Sequence, residues 1–376
     1  MPWKECFEVN LRQEAVLLAT GPGGKVSVTA RRFGVSRQVL HKWISRYESE
    51  GITGLGNRSR RPAVSPTRTS EEVERVVVNL RERYPRWGSR KLRAVLLRRG
   101  ADQVPSERTI TRILHRYGLI DPEESAQRVP WKRFERREPN DLMQMDFKGH
   151  FGLEDGRRCH PLTMLDDHSR YCLTVRAFGN ERLVGVRREL IRVFERYGLP
   201  RQILTDNGAP WGNAMEYRFT KLSLWLMDHG VEVLHSTPMH PQTQGKLERM
   251  HRTLKADVIT GRSYRSLAAC QEAFDAWRRQ YNHERPHEAL GLCVPADRYS
   301  MSRRSFQETV PPWEYDVGVD VRKVDGNGRL CYDGVIWRIG KPFVGRHVSI
   351  APGKSPGSFD VRYRHQWVAS LDPDPS

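Results

Sequence analysis

The chain has 376 residues, with 38% hydrophobic and 29% charged side chains, which is typical of globular proteins and not of disordered or membrane proteins. No apolar run could span a bilayer, and the amino-terminal segment is too charged for a secretory signal, so we expect a cytoplasmic protein. The formal net charge of +18 predicts a polyanionic partner. Six scattered cysteines without a CxxC pair argue against a cysteine zinc site and a disulfide framework.

The positive charge is concentrated in the first third of the chain. Residues 1–139 hold 29 Lys and Arg against 16 Asp and Glu, whereas the remaining residues are nearly balanced. This asymmetry favours a DNA-holding region ahead of a second functional region. On composition alone, a generally basic protein without a specific nucleic-acid partner stays an alternative.

The first predicted elements are two short helices separated by a turn. Ser27 can cap the first helix, Gly34 and Val35 form the turn, and Ser36 can cap the second helix. The second helix has an apolar stripe and a polar face made of Arg37, Gln38, His41, Lys42 and Ser45. Such a helix-turn-helix unit suits insertion into the major groove of DNA. The alternative is a small helical hairpin whose polar face is only solvated.

A similar pattern recurs after a link rich in Gly, Pro and Arg. Ser89 and Ser106 are predicted to cap two further helices, and Arg108 and Arg112 lie on the outer face of the second. Two such units in tandem would bind a longer DNA site than either alone. The charged, Pro-containing segment 123–140 is predicted to be a basic linker that follows DNA phosphates, or equally a solvated linker.

The next region predicts a mixed α/β sheet with helices packed against it. Strand patterns at 142–149, 159–167 and 171–178 form a meander, and a helix then leads to a strand at 201–206. A helix, a strand and a final helix with the sequence QTQGKLERMHRTLKADVI follow. This order of elements predicts the α/β fold class.

The last segment changes to short strands, with Asp333 and Gly334 as a two-residue hairpin turn, and predicts a small SH3-like β-barrel. Its cations could bind nucleic acid, or the module could make protein contacts; they are Arg322, Lys323, Arg338, Arg346, Arg362 and Arg364. The predicted domains are helix-turn-helix domains at 1–62 and 63–122, the basic linker at 123–140, the core at 141–300 and the β-barrel at 301–376.

Three carboxylates stand out in the predicted core. Asp146 lies inside the first strand between apolar neighbours, where an unpaired buried carboxylate would be costly. Asp206 ends a strand, and ligands of open α/β sheets gather at strand ends. Glu248 shares a polar helical stripe with Arg252 and Lys255, and the apolar residues of the same helix are predicted to face the sheet; they are Leu247, Met250 and Leu254. Singly, each acid has an ordinary alternative: a buried hydrogen bond, an Asx-turn or an i,i+4 ion pair.

Jointly, two strands and one helix would bring the three acids to the same end of the sheet. Three carboxylates there offer hard oxygen ligands to Mg²⁺ or Mn²⁺. Two such ions can activate a nucleophilic oxygen and stabilise the leaving oxygen of an in-line phosphoryl displacement. Lys246, Arg252 and Lys255 are the cations that we expect to contact the DNA backbone beside this site.

Several segments occur in an order that resembles the integrase core of insertion-sequence transposases, relatives of retroviral integrases, over about residues 140–295; they are MQMDF, LDDHSRY, LTDNGAPW, HPQTQGKLERMHRTLK and YNHERPHEALG. The upstream helix-turn-helix pair is also similar to that of the family. The resemblance implies a ribonuclease-H-like core and a metal-binding triad of Asp146, Asp206 and Glu248. It further implies nicking of double-stranded DNA at element ends and attack of the freed 3′-hydroxyl on target DNA.

Two features depart from the pattern of the family. Between Asp206 and Glu248 lie 41 residues, where many relatives have roughly thirty-five. We assign the surplus to a loop in APWGNAMEYRFTKLS, which should not move either carboxylate. No His/His/Cys/Cys zinc module precedes the core, and we interpret His235 and His240 as loop residues and not as metal ligands.

Five further polar residues are interpreted as structural. Asp166 and Asp167 end a strand and could supplement a metal site, but the turn that follows favours a structural role. Asn282, His283 and Arg285 are predicted to attach the final helix to the core.

The leading hypothesis is a metal-dependent polynucleotidyl transferase that acts on element ends as a homo-oligomer. We expect it to associate with the nucleoid and to use neither a membrane nor a nucleotide cofactor. One alternative is a sequence-specific DNA-binding protein, such as a repressor, with an inert core. Another is a nuclease that cuts DNA and never joins it.

Overall fold

The computed structural model describes residues 2–58, 69–120, 135–212, 219–235 and 245–372. The chain divides into two compact units, Met1–Thr69 and Ser70–Ser376. Most of the predicted basic linker and His240 lie outside the described residues. Within the described ranges, no helix combines the length and the apolar character needed to cross a membrane.

The first unit is helical and contains α1 (Pro2–Thr20), α2 (Val26–Arg32), α3 (Arg37–Glu50) and a 3-10 helix at Gly51–Leu55. As predicted, Gly34 forms the turn between α2 and α3 with a φ of 65°, which suits a residue without a Cβ. Ser36 accepts a hydrogen bond from the Val39 N–H at the start of α3, as predicted. The prediction for Ser27 is wrong, because α2 begins at Val26 and its N-cap is Lys25, two residues before the predicted cap.

The second unit begins with three helices, α4 (Glu71–Arg83), α5 (Ser89–Arg98) and α6 (Glu107–Arg116). Leu92, Ile110 and Ile113 are fully buried where the three helices meet. Ser106 accepts from the Thr109 N–H at the start of α6, as predicted, whereas Gly88 and not Ser89 is the N-cap of α5. Both helical regions therefore contain the predicted pair of helices joined by a turn.

A mixed sheet lies at the centre of the second unit. Its strands are β1 (Leu142–Phe147), β2 (Phe151–Gly152), β3 (Arg158–Asp166), β4 (Cys172–Phe178), β5 (Gln202–Thr205) and β6 (Glu232–His235). The order across the sheet is β4-β3-β1-β5-β6, and the short β2 pairs with the start of β3. The strand β3 runs antiparallel to β1 and β4, while β5 and β6 run parallel to β1. This order confirms the predicted ribonuclease-H-like mixed sheet.

Helices cover both faces of the sheet; they are α7 (Leu183–Tyr197), α8 (Lys221–Asp228), α9 (Gly245–Leu254) and α10 (Leu267–His283). The helices α7 and α8 bury one apolar cluster against the sheet, and α9 and α10 bury another. The strand β1 alternates between these clusters, because successive side chains of a strand point to opposite faces. Met143 and Met145 lie in the first cluster, whereas Gln144 contacts α9.

The described carboxyl-terminal residues form a small antiparallel β domain, with β7 (Asp320–Lys323), β8 (Arg329–Tyr332), β9 (Val335–Arg338), β10 (His347–Pro352), β11 (Phe359–Tyr363) and β12 (Gln366–Leu371). The hairpin turn at Asp333 and Gly334 is as predicted, with φ of 50° and 74°. The strands form a four-stranded sheet, β12-β11-β10-β7, and a separate β8–β9 hairpin, so these residues do not show the continuous closed barrel that was predicted.

Side-chain amides cover two strands at the opposite edges of the central sheet. Asn282 exchanges two hydrogen bonds of 2.8 Å with the backbone N–H and C=O of Cys172 on β4. Gln366 of the β domain bonds the N–H and C=O of Val233 on β6, at 2.9 and 2.8 Å. Each amide therefore satisfies backbone groups that an edge strand would otherwise leave unpaired. The contact of Asn282 confirms its predicted structural role.

The β domain also shares apolar and ionic contacts with α8. Leu224 and Met227 of the core belong to the same buried cluster as residues of β10 and β11. Asp228 accepts a hydrogen bond of 2.5 Å from the Tyr363 hydroxyl and lies 3.3 Å from the Arg364 guanidinium. This interface combines a common apolar cluster with partly buried polar pairs, and the β domain belongs to the same compact unit as the central sheet.

Gln366→Ala is expected to lower the free energy of unfolding by about 1–3 kcal/mol, because it leaves a buried N–H and C=O of Val233 without partners. Chemical denaturation of the purified chain measures the change. Lys323→Ala, at an exposed position on β7, is the control and should change the free energy by less than about 0.5 kcal/mol. Equal stability of the two variants would show that the amide does not hold β6.

Candidate active site

Asp146 is held near the end of β1 by contacts with the neighbouring strand. It lies opposite Thr163 of β3, whose hydroxyl donates a hydrogen bond of 2.9 Å to the Asp146 carbonyl oxygen. The Nε2 atom of His251, on α9, lies 2.6 Å from the same hydroxyl oxygen. Because Thr163 and His251 are buried, β1, β3 and α9 are joined directly beneath Asp146.

Asp206 follows the last residue of β5, which is the parallel neighbour of β1. The Gly208 N–H donates to its Oδ1 atom at 3.2 Å. A Cβ at position 208 would lie 3.2 Å from the other carboxylate oxygen, so glycine leaves room for the carboxylate in this turn. The turn continues to the buried Trp211, which packs against Phe147 of β1 with 6.0 Å between ring centroids. The turn is thus anchored to β1.

The two aspartates are close enough to influence each other electrostatically. Burial, followed by the negative charge of Asp206, raises the pKa of Asp146 to about 7, against a hydrogen bond from the backbone N–H of Phe147. Burial also raises the pKa of Asp206, against a hydrogen bond from the Gly208 N–H. Glu181 adds a third negative charge that acts on both carboxyls. Such a pair of carboxylates is costly to keep ionised without a cation.

Glu248 lies on α9 with its side chain exposed. As predicted, Leu247, Met250 and Leu254 are buried on the inner face of this helix. Among the described residues, no three His, Cys, Asp or Glu side chains are grouped closely enough to hold a metal ion. The structure therefore brings Asp146 and Asp206 together, and it leaves Glu248 outside a closed set of three ligands.

The amino-terminal end of α9 is joined to β1 through buried polar groups. The Gln144 amide oxygen accepts from the Leu247 N–H at 3.3 Å, and its amide nitrogen donates to Asp167 at 2.9 Å. The Lys246 ammonium lies 2.5 Å from the carboxylate of Asp167, which is fully buried. We call Gln144, Asp167 and Lys246 the α9 brace. It connects the strand that carries Asp146 to the helix that carries Glu248.

The α9 brace changes the interpretation of Lys246, for which we predicted contact with DNA. Its side chain is only 16% exposed and its charge is engaged by Asp167, so its position argues against that contact. Arg252 and Lys255 remain exposed, with Lys255 at the start of a π-helical turn, Lys255–Ile259, that continues α9. These two cations stay available for DNA beside Glu248.

The structural roles predicted for Asp166 and Asp167 are confirmed. Both are buried, and Asp166 accepts hydrogen bonds from the Asn140 N–H and from the N–H and hydroxyl of Ser169. Asp167 accepts from the Arg136 N–H in addition to its bonds in the α9 brace. Neither carboxylate is left to supplement a metal site.

Other predicted site residues lie on the two helix-turn-helix regions. On α3 the exposed residues include all five predicted DNA contacts, which are Arg37, Gln38, His41, Lys42 and Ser45. On α6, Arg108 and Arg112 are likewise exposed, opposite the buried Ile110, Ile113 and Leu114. Both helices thus present a polar face to solvent while their apolar faces pack inward.

The sequence interpretation missed three residues of the site. His251 follows Glu248 by three positions, in the buried register set by Leu247 and Leu254, and this register was the available signal. Glu181 acts on the aspartates across the sheet, and no local pattern indicates this. His235 was placed in a loop, but it ends β6, where its Nδ1 lies 3.1 Å from the Asp206 carbonyl oxygen.

Comparison with protein-family models assigns most of the chain. Two models described as "Integrase core domain" match residues 136–241 and 229–295, and one described as "IS481 family transposase, C-terminal domain" matches 319–374. The chain therefore has the integrase core and the carboxyl-terminal domain of insertion-sequence transposases. A "Helix-turn-helix domain" model matches 11–63 and a "Homeodomain-like domain" model matches 39–114, so the transposase carries DNA-binding domains ahead of its core.

Curated relatives come from other insertion sequences. An uncharacterized 39.2 kDa protein of insertion element IS476 from Xanthomonas euvesicatoria is 26% identical, over 73% of the transposase and 78% of the relative. An uncharacterized 31.7 kDa protein of insertion element IS407 from Burkholderia multivorans is 25% identical, over 76% of the transposase and 98% of the relative.

Solved structures with similarity to the transposase include retroviral integrases. One is a chain of the simian T-cell lymphotropic virus intasome in complex with the PP2A regulatory subunit B56 gamma, which is 14% identical with a TM-score of 0.38 and covers 78% of the transposase and 95% of that chain. Another is the catalytic core domain of HTLV-2 integrase in complex with magnesium, in its trimeric form. It is 15% identical with a TM-score of 0.31 and covers 43% of the transposase and 98% of that chain.

Proposed function

We propose that the transposase nicks DNA at the ends of its element and joins the freed 3′ end to target DNA, as a divalent-metal-dependent polynucleotidyl transferase. The observation that carries this proposal is the pair Asp146 and Asp206 at the carboxyl ends of two adjacent parallel strands. Their burial and repulsion make the pair unfavourable without a cation. The charge of Lys148 lowers the pKa of Asp146 but is outweighed by burial and by the charge of Asp206, so the pair is not neutralised as an ordinary structural ion pair would be.

The pair fits Mg²⁺ or Mn²⁺ by the chemistry of its donors, because these ions prefer carboxylate oxygens and retain open positions for water and phosphate. We propose Asp146, Asp206 and Glu248 as ligands, with Glu248 supplied from α9 and two ions in each site. When bound, the ions would activate the attacking oxygen and stabilise the leaving oxygen. The negative charges of Asp146 and Asp206, which repel each other without metal, would then both attract the cations.

The protein groups around the acids would position them and the DNA. The Thr163 and His251 contact fixes β1 against α9, and the Gly208 N–H orients the Asp206 carboxylate. The exposed Arg252 and Lys255 would bind phosphates next to Glu248 and place the scissile strand. Burial lowers the pKa of His251 to about 3, so its ring is neutral and acts as a fixed hydrogen-bonded link, not as a general acid.

We propose that α3 and α6 each insert into a major groove at the element end, and that their exposed polar residues bind it. The binding of two separate helix-turn-helix regions to one end lengthens the site that is recognised. Strand transfer requires two synchronised ends, which we propose are held by a homo-oligomer assembled on DNA.

In the β domain one apolar cluster includes residues of both sheets, which supports an SH3-like, barrel-type module.

The α6 assignment makes a quantitative prediction for DNA binding. Arg112→Ala is expected to weaken binding to the element end by about 1–3 kcal/mol if the guanidinium contacts a base, and to relax specificity at one position. If it contacts phosphate, the slope of log K against log salt falls by about 1 with little change in specificity. Fluorescence anisotropy at several salt concentrations measures both quantities. Unchanged affinity and slope would remove Arg112 from the interface, and Arg108→Ala provides the parallel test.

A reconstituted reaction tests the proposed function as a whole. The purified transposase, a duplex with the terminal DNA of its own element, Mg²⁺ and a plasmid target should yield nicked ends and joined products. Binding without any metal-dependent cleavage would instead support an inert DNA-binding protein. Cleavage without joined products would support a nuclease.

A further inference from the structure

The second helix-turn-helix region is in contact with the catalytic core through a set of oppositely charged side chains. The Arg98 guanidinium at the end of α5 donates two hydrogen bonds to the Asp297 carboxylate, at 2.6 and 2.8 Å. The Tyr84 hydroxyl, just after α4, donates to Glu284, which caps the carboxyl end of α10. We call these pairs, Arg98–Asp297 and Tyr84–Glu284, the docking contact.

Other charges around the docking contact have the same complementarity. Arg83 lies 3.5 Å from Glu284, and Arg86 lies 3.6 Å from Asp257. The helical region contributes cations and the core contributes acids, in a chain whose net charge is +18. A basic surface that would otherwise be available to DNA is thus turned towards the core, which argues against an incidental approach of two basic domains.

The docking contact leaves the DNA-facing side of the helical region open. It uses the ends of α4 and α5, whereas Arg108 and Arg112 on α6 stay exposed. On the core side, Glu284 follows α10, which packs in the same apolar cluster as α9. The helix proposed to bind the element end is therefore held by the layer that carries Glu248.

We infer that the docking contact sets the number of base pairs between the sequence bound by α6 and the DNA bond that is cut. This inference rests on the proposed function and adds a specificity role for Arg98, Tyr84, Asp297 and Glu284 as positioning residues. Without the contact, the helical region would be connected to the core through residues 121–134. Those 14 residues could span at most about 50 Å, which corresponds to about 15 base pairs. The contact removes that freedom.

The docking contact can be weakened by charge reversal at partly exposed positions. Its charged side chains are partly exposed, with exposures of 51% for Arg98, 32% for Asp297 and 40% for Glu284, so each pair is weak alone and sensitive to charge reversal. Arg98→Asp changes the helical region and places an acid opposite Asp297. Glu284→Arg changes the core and places a cation opposite Arg83. Arg98→Lys keeps the charge, and Glu272→Arg makes the same charge change at an exposed position of α10 away from the contact.

Two readouts on a duplex with the terminal DNA of the element test the inference. Hydroxyl-radical footprinting without added Mg²⁺ should show protection by α6 and by the core at a fixed spacing. Arg98→Asp and Glu284→Arg should keep the α6 protection and lose or broaden the core protection, whereas both controls retain the wild-type pattern. With Mg²⁺, the two reversal variants should spread the nick over several base pairs, with at least about a twofold loss at the main position.

The results separate this inference from the proposed function. The inference would be overturned if both reversal variants kept the core footprint and the single nick position of the wild type. It would also be overturned if the wild-type protein gave no core protection. Because the two reversals lie on different domains, misfolding of one, detected by thermal unfolding, leaves the other as the test. If no protein cuts DNA but the footprints change as expected, the docking contact is supported and the proposed activity fails.

Discussion

Asp146→Asn is expected to reduce Mg²⁺-dependent nicking and joining by about 10³-fold, which corresponds to about 4 kcal/mol of transition-state stabilisation. The carboxylate lies beside Asp206 near the end of β1, and an amide cannot contribute the charge that a divalent cation requires. Asp206→Asn and Glu248→Gln should have effects of similar size. A gel assay that resolves nicked and joined products measures the loss in each variant.

Binding and stability measurements distinguish a metal ligand from a structural acid. Binding to the element end should be unchanged in Asp146→Asn, because we assign it to α3 and α6. The pKa of Asp146 is raised from 3.8 to about 7, so the folded state holds its proton more tightly than the unfolded state, and stability falls as pH rises through this range. At pH 8 without metal, Asp146→Asn should therefore raise the free energy of unfolding, by about 2 kcal/mol.

Mg²⁺ should reverse this order of stability. The ion binds only the folded wild-type site and stabilises it by mass action, while Asp146→Asn should gain much less. Near-normal strand transfer by any of the three acid variants in Mg²⁺ would exclude that residue as a ligand. A fall in stability of Asp146→Asn at pH 8 would show that the carboxylate has a structural partner instead.

Local patterns in the sequence were sufficient for much of the core and of the candidate site. The alternation of Met143, Met145 and Phe147 places Asp146 on the opposite face of β1, and a 3.6-residue period places Leu247 and Met250 inward on α9. These predictions succeeded because each depends on a strong apolar signal within a few residues. The same holds for the turn at Gly34 and the caps Ser36 and Ser106.

The incorrect or missing predictions depend on distant residues or on fine backbone geometry. Lys246 has the spacing of a surface cation, and only the fold places the buried Asp167 opposite it, 79 positions earlier in the chain. The docking contact likewise joins residues about two hundred positions apart. Ser27 and Ser89 failed as caps, because the N-caps are Lys25 and Gly88, two residues and one residue earlier; capping depends on the backbone angles of the N-cap and not on residue type alone.

The α9 brace predicts a second large effect. Asp167→Ala should lower the free energy of unfolding by about 3–5 kcal/mol, because it leaves the Lys246 ammonium buried without its partner. It also removes the acceptor of the Gln144 amide and of the Arg136 N–H. Burial lowers the pKa of Lys246 to about 8 in spite of the adjacent carboxylate, which shows how strongly the ammonium is desolvated. Urea denaturation measures the change.

A double variant separates the stabilising role of the α9 brace from its positioning role. Asp167→Leu with Lys246→Met replaces the buried pair by apolar side chains of similar size and should recover most of the lost stability. It cannot restore the polar link that runs from Gln144 through the Asp167 carboxylate to Lys246, so metal-dependent nicking should remain at least about tenfold below wild type. Full recovery of both stability and nicking would show that the pair serves only folding. Recovery of stability alone would assign Asp167 and Lys246 the task of orienting the helix that carries Glu248.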